Sequence, residues 1–398
     1  MAGRVLVTGY GMISAIGRNT AETFAALKNG QSGVGPIHIL ETIHRDDIPA
    51  GEIPMTNAEL ARIAGIPDGL DNTRTSLLGV IAALEAARQS GIVPGDRRFR
   101  TGVVSASTVG GMDQTEKNYR NYAKGHPFNH FIFTHDCGDS TEHIADRLGI
   151  TDFLTTISTA CSSSANAMMT AARLIRHGIV DRVIAGGTDA LSKFTLNGFN
   201  TLMILDRKPC RPFDKSRSGL NLGEGAAYLV LESEEAAAGK EVLAELSGFA
   251  NANDAFHQTA SSPEGHGPFL SMKGALEMSG LSPADIGYIN AHGTGTDNND
   301  LTEGIAIERI FGIAIPRVSS TKPFTGHTLG AAGAVEAVIS IMALRYGLAF
   351  PNLNFQERMD ELHFDPVRKL NRVKGLQHVL SNSFGFGGND STLVFSVG

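Results

Sequence analysis

The chain has 398 residues, 42% of them hydrophobic and 19% charged, an ordinary balance for a soluble protein that buries more than one small core. Asp and Glu total 41 against 34 Lys and Arg, and the resulting net charge of −7 excludes general nucleic-acid binding through a basic face. No uninterrupted apolar run reaches the roughly 18–20 residues that span a bilayer, and the three cysteines (137, 161, 210) neither make a disulfide framework nor fit a metal-ligand spacing. The expectation is a reduced, cytoplasmic protein with no membrane insertion, in which any special cysteine is special for its thiol.

Apolar and β-branched runs at 5–8, 101–105, 182–185, 226–231, 286–290, 317–320, 378–380 and 392–397 predict strands. Helix-like stretches at 73–91, 162–177, 270–280 and 329–346 lie between them. This alternation predicts an α/β fold with mainly parallel strands. The first nine residues read as a strand and a turn. Gly9-Tyr10-Gly11 suggests a dinucleotide loop, but Ser14 stands where that fingerprint needs a glycine. The charged, Ala-rich stretch 232–245 marks a boundary, giving halves 1–240 and 241–398. The halves look alike: each carries a small-residue helix (162–177 and 329–346) with basic residues in its last turn and a Gly after it. Two such helices, buried near each other, would meet at a shared site.

Three segments carry chemistry. In Ser158-Thr159-Ala160-Cys161-Ser162-Ser163-Ser164, the cysteine stands at a strand-to-helix turn, where free N–H groups and the helix dipole favour a thiolate; a buried, inert thiol is the alternative. In Asn290-Ala291-His292-Gly293-Thr294-Gly295-Thr296, the histidine leaves a strand end, the usual place for catalytic groups in parallel sheets. Lys322-Pro323-Phe324-Thr325-Gly326-His327 repeats the arrangement. Zinc is the rival use of these groups, but HExxH and CxxC are both absent, and no metal is expected. Near the C-terminus, Asn382-Ser383-Phe384-Gly385-Phe386-Gly387-Gly388-Asn389-Asp390 places three glycines in four positions, which implies positive φ or close approach to a ligand. A glycine-rich hairpin is the plainer reading of that segment.

Together with Arg211-Pro212-Phe213-Asp214 and Gly223-Glu224-Gly225-Ala226, these blocks resemble the β-ketoacyl-(acyl carrier protein) synthases, over nearly the whole chain. The resemblance implies a thiolase-like α-β-α-β-α layered fold and a decarboxylative condensation of an acyl chain with malonyl-acyl carrier protein. It implies Cys161 as nucleophile, His292 and His327 as donors to the enolate, and Lys322 holding a histidine in place. It further implies backbone N–H groups of Cys161 and Phe384 as the oxyanion hole, and Phe384, Phe199 and Asp254 as the gate. Thr294 and Thr296 would bind the pantetheine arm, and Glu303 would support the site from behind. Val109, Phe131 and Phe133 would set pocket depth.

No thiolase-type second cysteine follows position 210, and the two histidines fit the elongating type. Three departures stand out: Asn389-Asp390 replaces the commoner Thr-Asn, the stretch from Leu205 to Arg211 is short, and the Ser162–Ser164 run looks more like polyketide ketosynthases. The resemblance leaves the chain extended open between fatty, aryl-polyene and other specialised types. No cofactor is implied beyond the substrate's own phosphopantetheine. The expected partners are an acyl carrier protein, docking at the basic cluster Arg207, Lys208, Arg211, Lys215 and Arg217, and a second copy in a homodimer. A catalytically silent acyl-binding subunit and a Cys-His hydrolase are the alternatives. Retention of Cys161, both histidines and Lys322 argues against the first, and the lack of a water-activating carboxylate against the second.

Overall fold

A computed structural model describes residues 3–67, 72–125 and 130–398, without the side chains of 130–132. The first half runs β1 (Leu6–Ser14), α1 (Thr20–Asn29), α2 (Asn57–Ala64), α3 (Arg74–Gln89) and β2 (Thr101–Ala106). It continues through α4 (Met112–Ala123), α5 (Gly138–Leu148), β3 (Phe153–Ile157), α6 (Ser163–Arg176), β4 (Arg182–Asp189), α7 (Lys193–Thr201) and β5 (Gly225–Glu232). The second half begins β6 (Ala244–Asn253), α8 (His266–Ser279), β7 (Tyr288–Asn290), α9 (Asp297–Phe311) and β8 (Arg317–Ser319). Then come α10 (Lys322–Thr325), α11 (Ala332–Tyr346), the short ribbon β9 (Leu348–Ala349) and β10 (Asn371–Arg372), β11 (His378–Gly385) and β12 (Asn389–Ser396).

Ten strands form one mixed sheet in the order β3-β2-β4-β5-β1-β6-β12-β11-β7-β8. Read outward from the centre, the two halves repeat each other. β5 pairs antiparallel with β1 and β4, and β2 lies parallel to β4 and β3. Likewise β12 pairs antiparallel with β6 and β11, and β7 lies parallel to β11 and β8. The central helices α6 and α11 pack on each other and on strands from both halves, while α3 and α8 cover the opposite faces. These are the layers of the expected fold, and they bring the starts of α6 and α11 together.

Small residues permit that closeness. A Cβ on Gly333, in the first turn of α11, would stand 2.9 Å from the Ala165 nitrogen of α6. Gly9 and Gly11 have the same role on the other face, where a Cβ would meet the carbonyls of Ala86 and Ala82 at 2.3 and 2.2 Å. They are therefore strand residues pressed against α3, and β1 runs on to Ser14 instead of turning at Gly9. The stretch Leu329–Tyr346 is long and apolar enough, at 18 residues and mean hydropathy 1.4, to cross a membrane by composition, yet 89% of it is buried inside the protein. Its Glu336 faces a buried lysine, which explains a charge in that setting.

Candidate active site

Cys161 follows Ala160, a non-glycine residue held at φ 54, a strained conformation that throws the next side chain out of the turn before α6. The sulfur reaches 3.1 Å from Nε2 of His327, which stands just before α11. The His292 and His327 rings lie edge to face with centroids 5.4 Å apart. All three residues are buried, 7%, 2% and 1% exposed, and line one cavity of about 280 Å³. Residues remote in sequence therefore meet at the junction of the two halves.

Hydrogen bonds fix which ring nitrogens carry protons. The Leu329 backbone N–H donates to Nδ1 of His327 at 3.1 Å, so the Nε2 of His327 bears the proton and points it at the sulfur. Lys322 Nζ lies 3.1 Å from Nδ1 of His292 and donates to the His292 carbonyl and to Glu336. An ammonium only donates, so Nδ1 of His292 accepts, and its Nε2–H is free to face the cavity. Burial and, after it, the Lys322 charge push both imidazoles well below their usual range, which keeps them neutral. Burial also pushes the Cys161 thiol up to about 11, against the opposing pull of Lys322. Cys161 at neutral pH is thus a thiol and not the thiolate that a helix start alone suggests.

Carboxylates behind the cavity hold its loops in place. Glu303 on α9 accepts the N–H groups of His292 and Gly293 at 2.9 and 2.8 Å and the Asn382 amide at 3.0 Å. Asp300 gathers the N–H groups of Thr294, Gly295 and Phe213. Thr294 and Thr296, joined by a 2.8 Å hydroxyl contact, both line the cavity. Arg217 adds hydrogen bonds to the carbonyls of Thr296 and Asp297.

At the glycine loop, the backbone N–H groups of Phe386 and of Cys161 itself favour charge on the sulfur against its burial, which puts Phe386 beside the expected Phe384. Phe384 sits within β11 opposite Asp390, its ring 6.0 Å from His292. Phe199 stacks on Phe386, at 6.0 Å and 14°, and these two rings line the cavity together with the expected Phe384. Asp254 lies behind this cover and donates its N–H to the Gly388 carbonyl at 2.9 Å. Val109 does not line the cavity but packs in a small cluster with Phe199, Leu191 and Leu196. Phe133 is 71% exposed, and the Phe131 side chain lies outside the described residues.

The basic cluster is also less free than its sequence suggests. Arg207 pairs with Asp47, Arg211 with Asp206, and Lys215 with Glu357 and Asp360. Sequence reasoning missed Phe386, Glu336 and Asn389, whose side-chain oxygen ties Ser162, Asn166 and Asn251 to the loop. The ligand-type atoms of Cys161, His292 and His327 lie within 4.8 Å of one another, a set that a soft cation fits only by taking up the nucleophile.

Comparisons with known proteins agree with this geometry. Residues 2–237 match the model of the beta-ketoacyl synthase N-terminal domain, and residues 243–356 that of the beta-ketoacyl synthase C-terminal domain. A 3-oxoacyl-[acyl-carrier-protein] synthase 2 from Coxiella burnetii is 36% identical over 414 residues, covering 99% of this chain and 98% of its own. Among solved structures, the ishigamide ketosynthase/chain length factor superposes with a TM-score of 0.93 at 32% identity over the full length of both chains. A type II polyketide ketosynthase in complex with its acyl-carrier protein, AntDE:AntF, gives 0.88 at 26%, again over all of both chains. With matching models across both halves and relatives of this identity over the whole length, the chain belongs to the beta-ketoacyl synthase family and is an acyltransferase of the thiolase-like fold.

Proposed function

We propose that the protein elongates an acyl chain by two carbons, with Cys161 as the acyl carrier and His292 and His327 as the decarboxylation site. The observation that carries this reading is the convergence of one buried thiol and two neutral imidazole N–H donors in a single cavity. In the first half-reaction, Sγ attacks a thioester carbonyl, and its proton ends on the departing pantetheine sulfur. The Nε2–H of His327, 3.1 Å away, stabilises the sulfur's charge as it forms. The N–H groups of Cys161 and Phe386 receive the oxyanion of the tetrahedral intermediate.

In the second half-reaction, a malonyl thioester loses CO₂ and its electron pair passes into an enolate. Neutral Nε2–H groups suit this charge, because a donor that keeps its proton stabilises the enolate without quenching it. The enolate carbon attacks the acyl carbonyl, and Sγ leaves and regains a proton. Lys322, paired with Glu336, holds His292 by its Nδ1 and carbonyl. The reaction balances as acyl-enzyme plus malonyl thioester and a proton giving 3-oxoacyl thioester, CO₂ and free thiol, so no resident cofactor is required. Thr294 and Thr296 are the proposed contacts for the pantetheine arm, and the Phe199–Phe386 stack for its acyl gate.

An acyl carrier protein is the proposed substrate bearer, supported by the neighbour solved with one. Purified protein primed with an acyl-carrier protein thioester should convert malonyl-loaded carrier to a 3-oxoacyl thioester. Release of free acid alone would overturn the assignment. A dimer is proposed because β3 ends the sheet with one edge unpaired and its residues only half-buried, unlike the interior strands. Light scattering should give twice the 42.1 kDa chain mass, and the chain mass itself would refute the dimer.

A silent acyl-binding role is the second reading. The likeness to a ketosynthase/chain length factor pair keeps it in view. The intact Cys161, His292, His327 and Lys322 constellation favours the active enzyme.

A further inference from the structure

The loop that covers the cavity is tied down from behind by an unusual pair of acids. Asp390, at the start of β12, is 1% exposed, and neither of its carboxyl oxygens has a hydrogen-bond partner among the described residues. Asp254, just after β6, has one satisfied oxygen, which accepts the Ser262 N–H at 2.7 Å, and one buried oxygen without a partner. Both side chains crowd the same niche: the place a Cβ on Gly267 would occupy is 2.0 Å from Oδ2 of Asp390 and 2.8 Å from Cβ of Asp254. Two backbone bonds lace the segments at this point, Asp254 N–H to Gly388 carbonyl at 2.9 Å and Gly387 N–H to Gln258 carbonyl at 2.7 Å. Gly388 has no room for a side chain, since a Cβ would lie 3.0 Å from the Asp254 nitrogen at φ 75.

Two buried carboxylates side by side repel, whereas a carboxyl and a carboxylate share one proton and satisfy an orphan donor and an orphan acceptor together. We propose that Asp390 is a positioning residue: its neutral carboxyl donates to the free oxygen of Asp254, and this one proton locks the 385–388 loop, with Phe386, over the acyl cavity. When the proton goes to solvent, both acids are charged and the laced segments part. An asparagine at this position would donate permanently, so the aspartate makes the bond proton-dependent.

The surroundings support a neutral Asp390. Burial first, then the charges of Asp254 and Glu303, push its carboxyl up to about 8. The acting groups are all acids. His266 and Lys273 on the neighbouring α8 do not offset them, His266 being exposed and Lys273 turned to Glu277 at the surface. Arg173 and Arg176 of α6 pack over Phe249, His378 bonds Ser396 at the far end of β11, and Asp300 is engaged by the Thr294 loop.

The catalytic consequence rests on the reading of this loop as the gate, but the test reads the carboxyl pair itself. Isotope-edited infrared spectra of the wild-type protein, taken between roughly pH 6 and pH 10, should show a protonated carboxyl band that disappears with a midpoint near 8. Asp390→Asn should lack the band, and Asp254→Asn should keep it with an altered midpoint. Hydrogen exchange of 254–258 and 385–390, corrected for intrinsic rates, should rise about threefold or more across the midpoint in wild type and stay level in Asp390→Asn. Absence of a titrating band, or a band that titrates while exchange stays level or rises equally in Asp390→Asn, would overturn the proposal. Should Asp390→Asn fail to fold, the wild-type band and its exchange profile decide alone. Loss of condensation with both signals intact would count against the gate reading and not against the proton.

Discussion

The two halves of this protein share one topology and divide one reaction. Each places a parallel strand, a strained turn and a small-residue helix at the centre, with Ala160 at φ 54 before α6 and Leu329 at φ 52 before α11. In the first half that turn delivers a single nucleophile. In the second, the same turn and the loop after β7 deliver a lysine and two histidines, while the matching loop after β2 carries Ser107-Thr108-Val109 and no titratable group. The helices differ accordingly: α6 has an ordinary polar face, whereas α11 is buried from Ala332 through Leu344 and holds Glu336 for Lys322. The repeated topology supplies matching positions, and on the proposed reading the different side chains placed there give loading to one half and decarboxylation to the other.

This division can be broken first at the histidines. Replacing His292 or His327 with Ala should lower malonyl decarboxylation by about a hundredfold to a thousandfold per lost donor, with a smaller effect on acyl loading by Cys161. Equal losses in both half-reactions, or an intact decarboxylation rate, would erase the boundary drawn between the halves.

A change in stability as well as in rate sharpens the comparison at Lys322. Lys322→Met strands Glu336 in the core and should cost about 3–5 kcal/mol of stability, read as a lower denaturation midpoint. The double variant Lys322→Met, Glu336→Leu removes both charges and should recover most of that stability. It should not recover decarboxylation, because His292 has lost the donor to its Nδ1. Recovery of both would make the pair merely structural.

Much of this arrangement was legible before any coordinates, because short buried strands and helix-closing glycines announce themselves. Cys161, His292, His327 and Lys322 were visible as motif residues at strand ends, and the paired central helices hinted at the repeat. The rest depended on contacts that sequence order hides. Phe384 and Phe386 stand in nearly identical glycine surroundings, and only the folded chain shows that the backbone N–H of the second favours charge on the sulfur. Arg207 and Lys215 look free until Asp47 and Asp360 fold against them from 160 and 145 residues away. Glu336 did leave a signal, a lone acid inside an apolar helix, which asks for a buried cation. Gly9 and Gly11 mimic a ligand loop because close packing on α3 makes the same demand for a missing side chain as close approach to a phosphate.

The central claim, that sulfur from one half and imidazoles from the other act in one cavity, is met most directly by following the acyl group. Protein acylated from carrier protein, digested and weighed, should carry the chain on the Cys161 peptide, and malonyl-loaded carrier should chase it off within turnover. In a His292→Ala, His327→Ala variant the same adduct should form and persist. An adduct on Cys137 or Cys210, or one chased from the double variant as fast as from wild type, would contradict the account.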